Sequence, residues 1–234
     1  MIKAPIVLAV DTPDLDIAKQ WVSATDGVVS VIKLGLEFFL SFGQDGVKKI
    51  ASETDSDIFL DLKLHDIPHT VSGAAKAVAE LNPKFLTVHA SGGAAMIKAA
   101  SDAMPHTFIT GVTILTSLSE IDVSQSGYKF NALESAVGLA NIAVANGARA
   151  IVCSPLEIEA IRKSVGLEIS IITPGVRPQS SAGSDDQNRT LTPSQAIEKG
   201  ANLVVIGRPI TSSYSQGINA MRERAIEIAE EILK

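Results

Sequence analysis

The feature that most constrains the fold of this chain is an eightfold alternation of short apolar runs with helical patterns. The runs are rich in β-branched residues, and the segments between them repeat apolar residues at helical spacing. Eight runs are predicted to be strands: 6–11, 28–35, 57–63, 85–90, 107–115, 149–154, 169–176 and 203–208. Eight strand–helix units in 234 residues, with no linker between them, predict a (β/α)8 TIM barrel, a single α/β domain over residues 1–234.

A doubly wound open sheet is the main alternative fold. Such a sheet normally carries a Gly-rich fingerprint after its first strand. The sequence VLAVDTPD, residues 7–14, has no glycine at that place. The strands are also apolar along most of their length, which is typical of parallel strands covered on both faces. We therefore favour the barrel.

Charge and composition limit the classes of function. The formal net charge of −6 argues against binding to nucleic acid or to anionic membranes. Cys153 is the only cysteine, so neither an internal disulfide nor a cysteine metal cluster can form. No apolar stretch is long enough to span a membrane, and the apolar run before Asp11 is too short for a signal peptide. We expect a soluble, cytoplasmic protein.

Polar side chains collect at one end of the predicted strands. Active sites of barrels lie at the carboxyl ends of the strands. The residues found there are Asp11, Lys33, Asp61, Lys63, Asp66, His89, Thr113, Thr116, Ser117, Arg177, Gly207 and Arg208. The amino ends show no such accumulation, so the distribution predicts a functional site at the carboxyl end.

The densest group of charges is Asp61, Lys63 and Asp66. Side chains two apart on a strand point to the same face, and charges near an apolar interior are costly unless they are paired. A buried structural ion pair is one interpretation, but the second carboxylate favours a site. Carboxylates stabilise the ammonium form of a neighbouring lysine, whereas a Schiff-base lysine needs the free amine. Lys63 therefore fits a proton donor and a fixed positive charge.

A phosphate site is predicted where strands seven and eight end, because the loops after these strands commonly hold phosphate in this fold. Gly207 allows a close approach of backbone N–H groups, and Arg208 supplies a fork of donors. The long irregular segment 177–193 is predicted to be a binding loop or lid. It offers Arg177, Gln187 and Arg189.

Several of these residues also have purely structural interpretations. Lys33 could extend its ammonium group to solvent. Asp14 or Asp16 could cap the first helix, and Thr192, which precedes a proline, could cap a later one. His89 is interpreted as a core histidine in preference to a catalyst.

The segment DLKLHDIPHTV, residues 61–71, resembles the signature of the orotidine 5′-phosphate decarboxylases, Asp-x-Lys-x-x-Asp-Ile-Pro-x-Thr. His69 departs from the pattern, because members more often have Asn there. Further similar motifs run along most of the chain: LAVDTPD, VIKLG, TVHASGG, ILTS, TPGVRPQ, DDQNRTLTP and VIGRPI.

The resemblance implies the substrate orotidine 5′-monophosphate and the products uridine 5′-monophosphate (UMP) and CO2, in de novo pyrimidine synthesis, with no metal or organic cofactor. It implies that Lys63 protonates C6 and that Asp61 lies beside the substrate carboxylate. It also implies a homodimer with shared sites, in which Asp66, Ile67 and Thr70 come from the other subunit. The remaining contacts it implies are Asp11 and Lys33 with the ribose, Thr116 and Ser117 with the pyrimidine, and Arg177, Gln187, Gly207 and Arg208 with the phosphate.

Two other functions stay open at this point. A sugar-phosphate lyase on the same barrel, such as a 3-keto-L-gulonate 6-phosphate decarboxylase or a hexulose-phosphate synthase, shares the Asp-x-Lys-x-x-Asp core but uses it to hold Mg²⁺. A non-catalytic barrel that binds a phosphate ligand is the third possibility. The Ile-Pro-x-Thr continuation, the ILTS run and the long loop favour the nucleotide enzyme.

Overall fold

Eight parallel strands close into a barrel in chain order in the computed structural model, which describes residues 3–178 and 191–234. The strands are β1 Ala4–Ala9, β2 Val29–Gly35, β3 Asp57–Leu64, β4 Phe85–His89, β5 Phe108–Val112, β6 Ala150–Val152, β7 Ser170–Thr173 and β8 Leu203–Ile206. Pairing of β1 with β8 closes the barrel. The predicted (β/α)8 architecture is confirmed.

Helices follow the strands and cover the outside of the barrel. The α-helices among the described residues are α1 Leu15–Thr25, α2 Leu36–Ala51, α3 Pro68–Val78, α4 Ala94–Ala103, α5 Glu120–Gln125, α6 Ala132–Ala145, α7 Ile158–Val165, α8 Pro193–Glu198, α9 Arg208–Thr211 and α10 Ile218–Leu233. None of the helices in this part of the chain is long and apolar enough to cross a membrane.

Two predicted helix caps are present. The carboxylate of Asp14 accepts hydrogen bonds from the backbone amides of Asp16 and Ile17, which would otherwise lack partners at the start of α1. Thr192 caps α8, and Pro193 occupies the first helical position. These residues are thus explained by local structure.

The inside of the barrel is filled by apolar side chains at its amino end. This inner core consists of Val7, Val31, Phe59, Phe85, Ala150 and Ile172. The rings of Phe59 and Phe85 lie 5.4 Å apart between centroids. Because side chains alternate along a strand, the residues two positions later point into the barrel nearer its carboxyl end. On β2, β3 and β4 those residues are Lys33, Asp61 and Thr87. The inside of the barrel is therefore apolar at the amino ends of these strands and polar at their carboxyl ends, where the barrel opens.

Several strands end earlier than the sequence predicts. The predicted strand 107–115 ends at Val112, and 169–176 ends at Thr173. At the second of these, Gly175 has a φ of 79°, which a strand cannot accommodate. Because the strands stop early, the residues that follow them turn over the mouth of the barrel. The predicted lid, residues 177–193, lies mostly outside the described residues and stays a prediction.

Candidate active site

A cavity of about 360 Å³ opens at the carboxyl ends of the strands, a volume within the usual range for small-molecule sites. Apolar side chains such as Phe59 and Ile114 form part of its wall. The structure brings eight of the predicted site residues together in its lining: Asp11, Lys33, Asp61, Lys63, Thr116, Arg177, Gly207 and Arg208.

Four charged side chains in this cavity form a chain of alternating sign. The ammonium group of Lys63 lies 2.7 Å from Oδ1 of Asp61. Lys33 lies 3.5 Å from Oδ2 of the same carboxylate and 3.3 Å from Oδ1 of Asp11. Lys33 is only 8% exposed, so it does not extend to solvent as one interpretation of the sequence suggested. Lys33 therefore lies between two carboxylates of this chain.

Asp61 is ionised despite its burial. Removal from water favours the neutral acid and raises the pKa, but the charges of Lys33 and Lys63 act in the opposite direction. Hydrogen bonds from Lys63 and from the hydroxyl of Thr87, at 3.0 Å, add to this, and together they lower the pKa of Asp61 below its ordinary value. The site thus holds a fixed negative charge between two fixed positive ones.

The strand is not regular where Lys63 lies. The φ of Lys63 is 48°, in the left-handed region, and the pairing of β3 with β4 shifts register between Leu60 and Leu64. Simple alternation predicted that Asp61 and Lys63 would share a face, and the two side chains do meet. The backbone that brings them together is nevertheless a local distortion that the sequence did not indicate.

Asp66 does not join Asp61 and Lys63 in the cavity of this chain. Its side chain is exposed and accepts a hydrogen bond from the backbone amide of Ile67 at 2.6 Å. Asp66 and Ile67 line a separate, open recess on the surface, and Thr70 is exposed as well. The proximity of the three charges in the sequence is therefore not reproduced as one cluster within this chain.

The far side of the cavity carries arginines. Arg208 begins α9 directly after Gly207, the residue that follows β8, and it is exposed. The backbone amide of Arg177 donates to the carbonyl of Leu191 at 3.0 Å, which joins the two ends of the predicted lid. Gln187 and Arg189 lie outside the described residues. Ser117 is exposed and is not among the residues that line the cavity.

Comparison with known proteins decides the family. The family model described as "Orotidine 5′-phosphate decarboxylase / HUMPS family" matches residues 4–222. The chain belongs to this family.

Curated relatives and a solved structure agree with the assignment to the orotidine 5′-phosphate decarboxylase family. The chain is 48% identical to an orotidine 5′-phosphate decarboxylase of Thermobifida fusca over 93% of each chain. It is 43% identical to one of Frankia casuarinae over 93% of this chain and 85% of the relative. The crystal structure of the Lactobacillus acidophilus orotidine 5′-phosphate decarboxylase matches with a TM-score of 0.82 and 34% identity, over 99% of this chain and all of that one.

Two residues of the site, Gly35 and Thr87, were not predicted from the sequence. Gly35 ends β2, and a Cβ atom there would lie 3.1 Å from Oδ1 of Asp11 and 3.3 Å from the Nζ of Lys33. Any larger residue would therefore crowd this ion pair, and the signal available in the sequence was a glycine directly after VIKL. Thr87 was missed because a single threonine inside a predicted strand forms no sequence pattern that indicates a functional site.

His89 stands beside the site of this decarboxylase-family chain but does not line the cavity. Its ring packs against that of His65, with 5.3 Å between centroids. Burial, followed by the charges of His65 and Lys63, lowers the pKa of His89. The imidazole is therefore predominantly neutral at neutral pH, in keeping with a packing role.

Proposed function

We propose that this chain decarboxylates orotidine 5′-monophosphate to UMP and CO2 in pyrimidine synthesis, with Lys63 as the proton donor to C6. The observation that carries the proposal is the contact of 2.7 Å between Lys63 and Asp61 inside the cavity. The family and the names of the curated relatives support the reaction.

The chemistry requires a positive charge that is already in place. When the bond between C6 and the carboxylate breaks, the electron pair stays on C6 in an sp² orbital with little resonance relief. CO2 leaves, and a proton moves from the Nζ of Lys63 to C6. An ammonium group held by Asp61 can stabilise the developing charge without reorganisation, which makes it more effective than water. Asp61 thus keeps the proton donor charged and oriented.

The rest of the cavity suits a nucleotide. We assign Arg208, Gly207, Arg177 and Gln187 to the phosphate. Asp11 and Lys33 are assigned to the ribose hydroxyls and Thr116 to the pyrimidine edge; Ser117, which does not line the cavity, is assigned to the same edge from the family resemblance alone. Phosphate binding is remote from the bond that breaks, so its free energy can be used to close the predicted lid, residues 177–193, and align the pyrimidine.

The proposal includes a homodimer with shared active sites. Asp66, Ile67 and Thr70 are exposed and do not line the cavity of their own chain, and Ile67 is 65% exposed. A partner subunit that covered this surface would bury Ile67 and receive Asp66 in its own site. The cytoplasmic location stays a prediction.

The Mg²⁺-dependent lyase is less well supported by the geometry. Both oxygens of Asp61 already contact ammonium groups, one from Lys63 and one from Lys33. The carboxylate of Asp66 lies in a different recess of this subunit. These two carboxylates therefore do not form a joint cation site within this chain.

The test is to follow pyrimidine absorbance with orotidine 5′-monophosphate, with and without EDTA. We expect turnover that EDTA does not affect. Loss of turnover in EDTA, with recovery on addition of Mg²⁺, would show a metal-dependent decarboxylation and contradict a reaction without a metal. Absence of turnover under both conditions would contradict the decarboxylase and leave the sugar-phosphate lyase and the non-catalytic barrel.

A further inference from the structure

The hydroxyl group of Thr87 bridges the two residues at the centre of the site. It donates to Oδ1 of Asp61 at 3.0 Å and accepts the backbone amide proton of Lys63 at 2.8 Å. A hydroxyl has one proton, and an ionised carboxylate can only accept, so both directions are fixed. Thr87 is fully buried and does not line the cavity. It therefore touches Asp61 and Lys63 but has no direct access to a ligand.

The contact with Lys63 compensates for the distortion of β3. A left-handed backbone at a residue other than glycine is costly and persists only when the surroundings enforce it. The register of β3 against β4 breaks between Leu60 and Leu64, so regular pairing does not supply an acceptor for the amide of Lys63. The Thr87 side chain, from the neighbouring strand, supplies that acceptor.

We propose that Thr87 is a positioning residue for the reaction. One hydroxyl group fixes the backbone of Lys63 and one oxygen of Asp61, and so sets the direction of the ammonium group relative to the carboxylate. This inference rests on the proposed function, in which Lys63 delivers the proton. Without the hydroxyl, the amide of Lys63 loses its partner and Asp61 loses one of its hydrogen bonds. The ammonium group is then less well aligned with C6.

The test compares Thr87→Val with Thr87→Ser and with a matched control. Thr110→Val is the control, because Thr110 is also fully buried, pairs with Thr87 across β4 and β5, and donates only to the carbonyl of Phe108. We expect Thr87→Val to lower kcat by about 10- to 100-fold, because a misplacement of about 1 Å can cost up to about 100-fold. KM and the affinity for UMP should stay unchanged, Thr87→Ser should restore kcat, and Thr110→Val should match the wild type.

Other outcomes would overturn the inference. A wild-type kcat for Thr87→Val would show that the bridge does not position Lys63. Equal losses in kcat and in UMP affinity, or no recovery in Thr87→Ser, would show a purely structural role. If Thr87→Val does not fold, Thr87→Cys takes its place, because a thiol fills similar space with weaker hydrogen bonds. Thr87→Cys is then expected to lower kcat without a change in KM, and any other result would contradict the inference.

Lys63→Ala separates this inference from the proposed function. A Lys63→Ala variant with wild-type kcat would contradict the role of the lysine, whatever Thr87 does. An inactive Lys63→Ala together with a fully active Thr87→Val would contradict only the role of Thr87.

Discussion

The ammonium group of Lys33 lies 3.5 Å from Oδ2 of Asp61, while that of Lys63 lies 2.7 Å from Oδ1 of the same carboxylate. Asp61 is therefore shared between a lysine of the neighbouring strand and one of its own strand. Lys33 also contacts Asp11, which follows β1. Charged residues at the carboxyl ends of β1, β2 and β3 are therefore linked. Removal of any one of these four linked charges therefore changes the electrostatic surroundings of the others.

Lys33→Met should lower kcat/KM strongly while the fold is retained. The substitution leaves Asp11 and Asp61 without a shared cation, and hydrogen bonds to charged groups are worth roughly 1.5–3 kcal/mol each. Steady-state kinetics with orotidine 5′-monophosphate measures the loss. Lys19→Met is the matched control, because Lys19 pairs with Glu53 on the surface at 3.4 Å. Equal kinetics for the two variants would contradict a role for Lys33 in the site.

Arg208→Ala should weaken capture of the phosphorylated substrate. A charged hydrogen bond to phosphate is worth roughly 1.5–3 kcal/mol, so kcat/KM should fall by about 10- to 150-fold. The measurement is kcat/KM for the nucleotide and for the nucleoside that lacks the phosphate. The nucleoside should be affected much less. If both substrates suffer equally, Arg208 is structural and the phosphate binds elsewhere.

The shared-site proposal predicts complementation between two inactive variants. Asp66→Asn and Lys63→Ala homodimers should each be nearly inactive. In a heterodimer, one site carries both changes and the other carries neither, so activity should recover towards half that of the wild type per heterodimer. Mixed variants are assayed after subunit exchange has been demonstrated by mass spectrometry. No recovery would mean that Asp66 serves its own barrel.

The stability of the protein is predicted to depend on pH through Glu157, which is not one of the four linked charges in the cavity. Burial, together with the nearby charge of Glu120, raises the pKa of Glu157 to about 7, although a hydrogen bond from the amide of Ser154 opposes the rise. The folded-state pKa is above that of the unfolded chain. The stabilisation by the neutral acid is therefore fully present below the unfolded pKa, near 4.5, and is lost as pH rises through about 7.

Glu157→Gln removes this titration, because an amide oxygen can still accept from Ser154. The variant should gain stability relative to the wild type between pH 5 and pH 8, by on the order of 3 kcal/mol. Urea unfolding at both pH values measures the difference. A stability difference that does not change with pH would contradict the raised pKa.

The architecture could be predicted from the sequence because it depends on periodicity. Buried parallel strands and covering helices have distinct repeats, and the eight predicted strands all overlap observed ones. Strand ends were less well predicted. Residues such as Ile114 and Leu115 are apolar like a strand, although the backbone has already turned away after Val112.

The site could be predicted only in part, because spacing along the chain does not give distances between strands. Residues that follow strand ends, such as Asp11 and Arg208, were found from their position. The contact between Lys33 and Asp61 depends on the register of β2 against β3, and the left-handed φ of Lys63 depends on a break in the pairing of β3 with β4. Neither leaves a pattern in the local sequence. The placement of Asp66 in the site of a second subunit remains a proposal.

The most direct test of the central claim is the kcat of Lys63→Ala with orotidine 5′-monophosphate. Loss of general acid action alone typically costs about 10²–10⁴-fold, and loss of the fixed positive charge adds to it. Lys98→Ala is the control, because Lys98 forms an exposed ion pair with Asp102 on α4 at 2.9 Å. We predict that Lys63→Ala folds and binds UMP but has almost no turnover, while Lys98→Ala matches the wild type. A Lys63→Ala variant that retains most of the wild-type kcat would contradict the account.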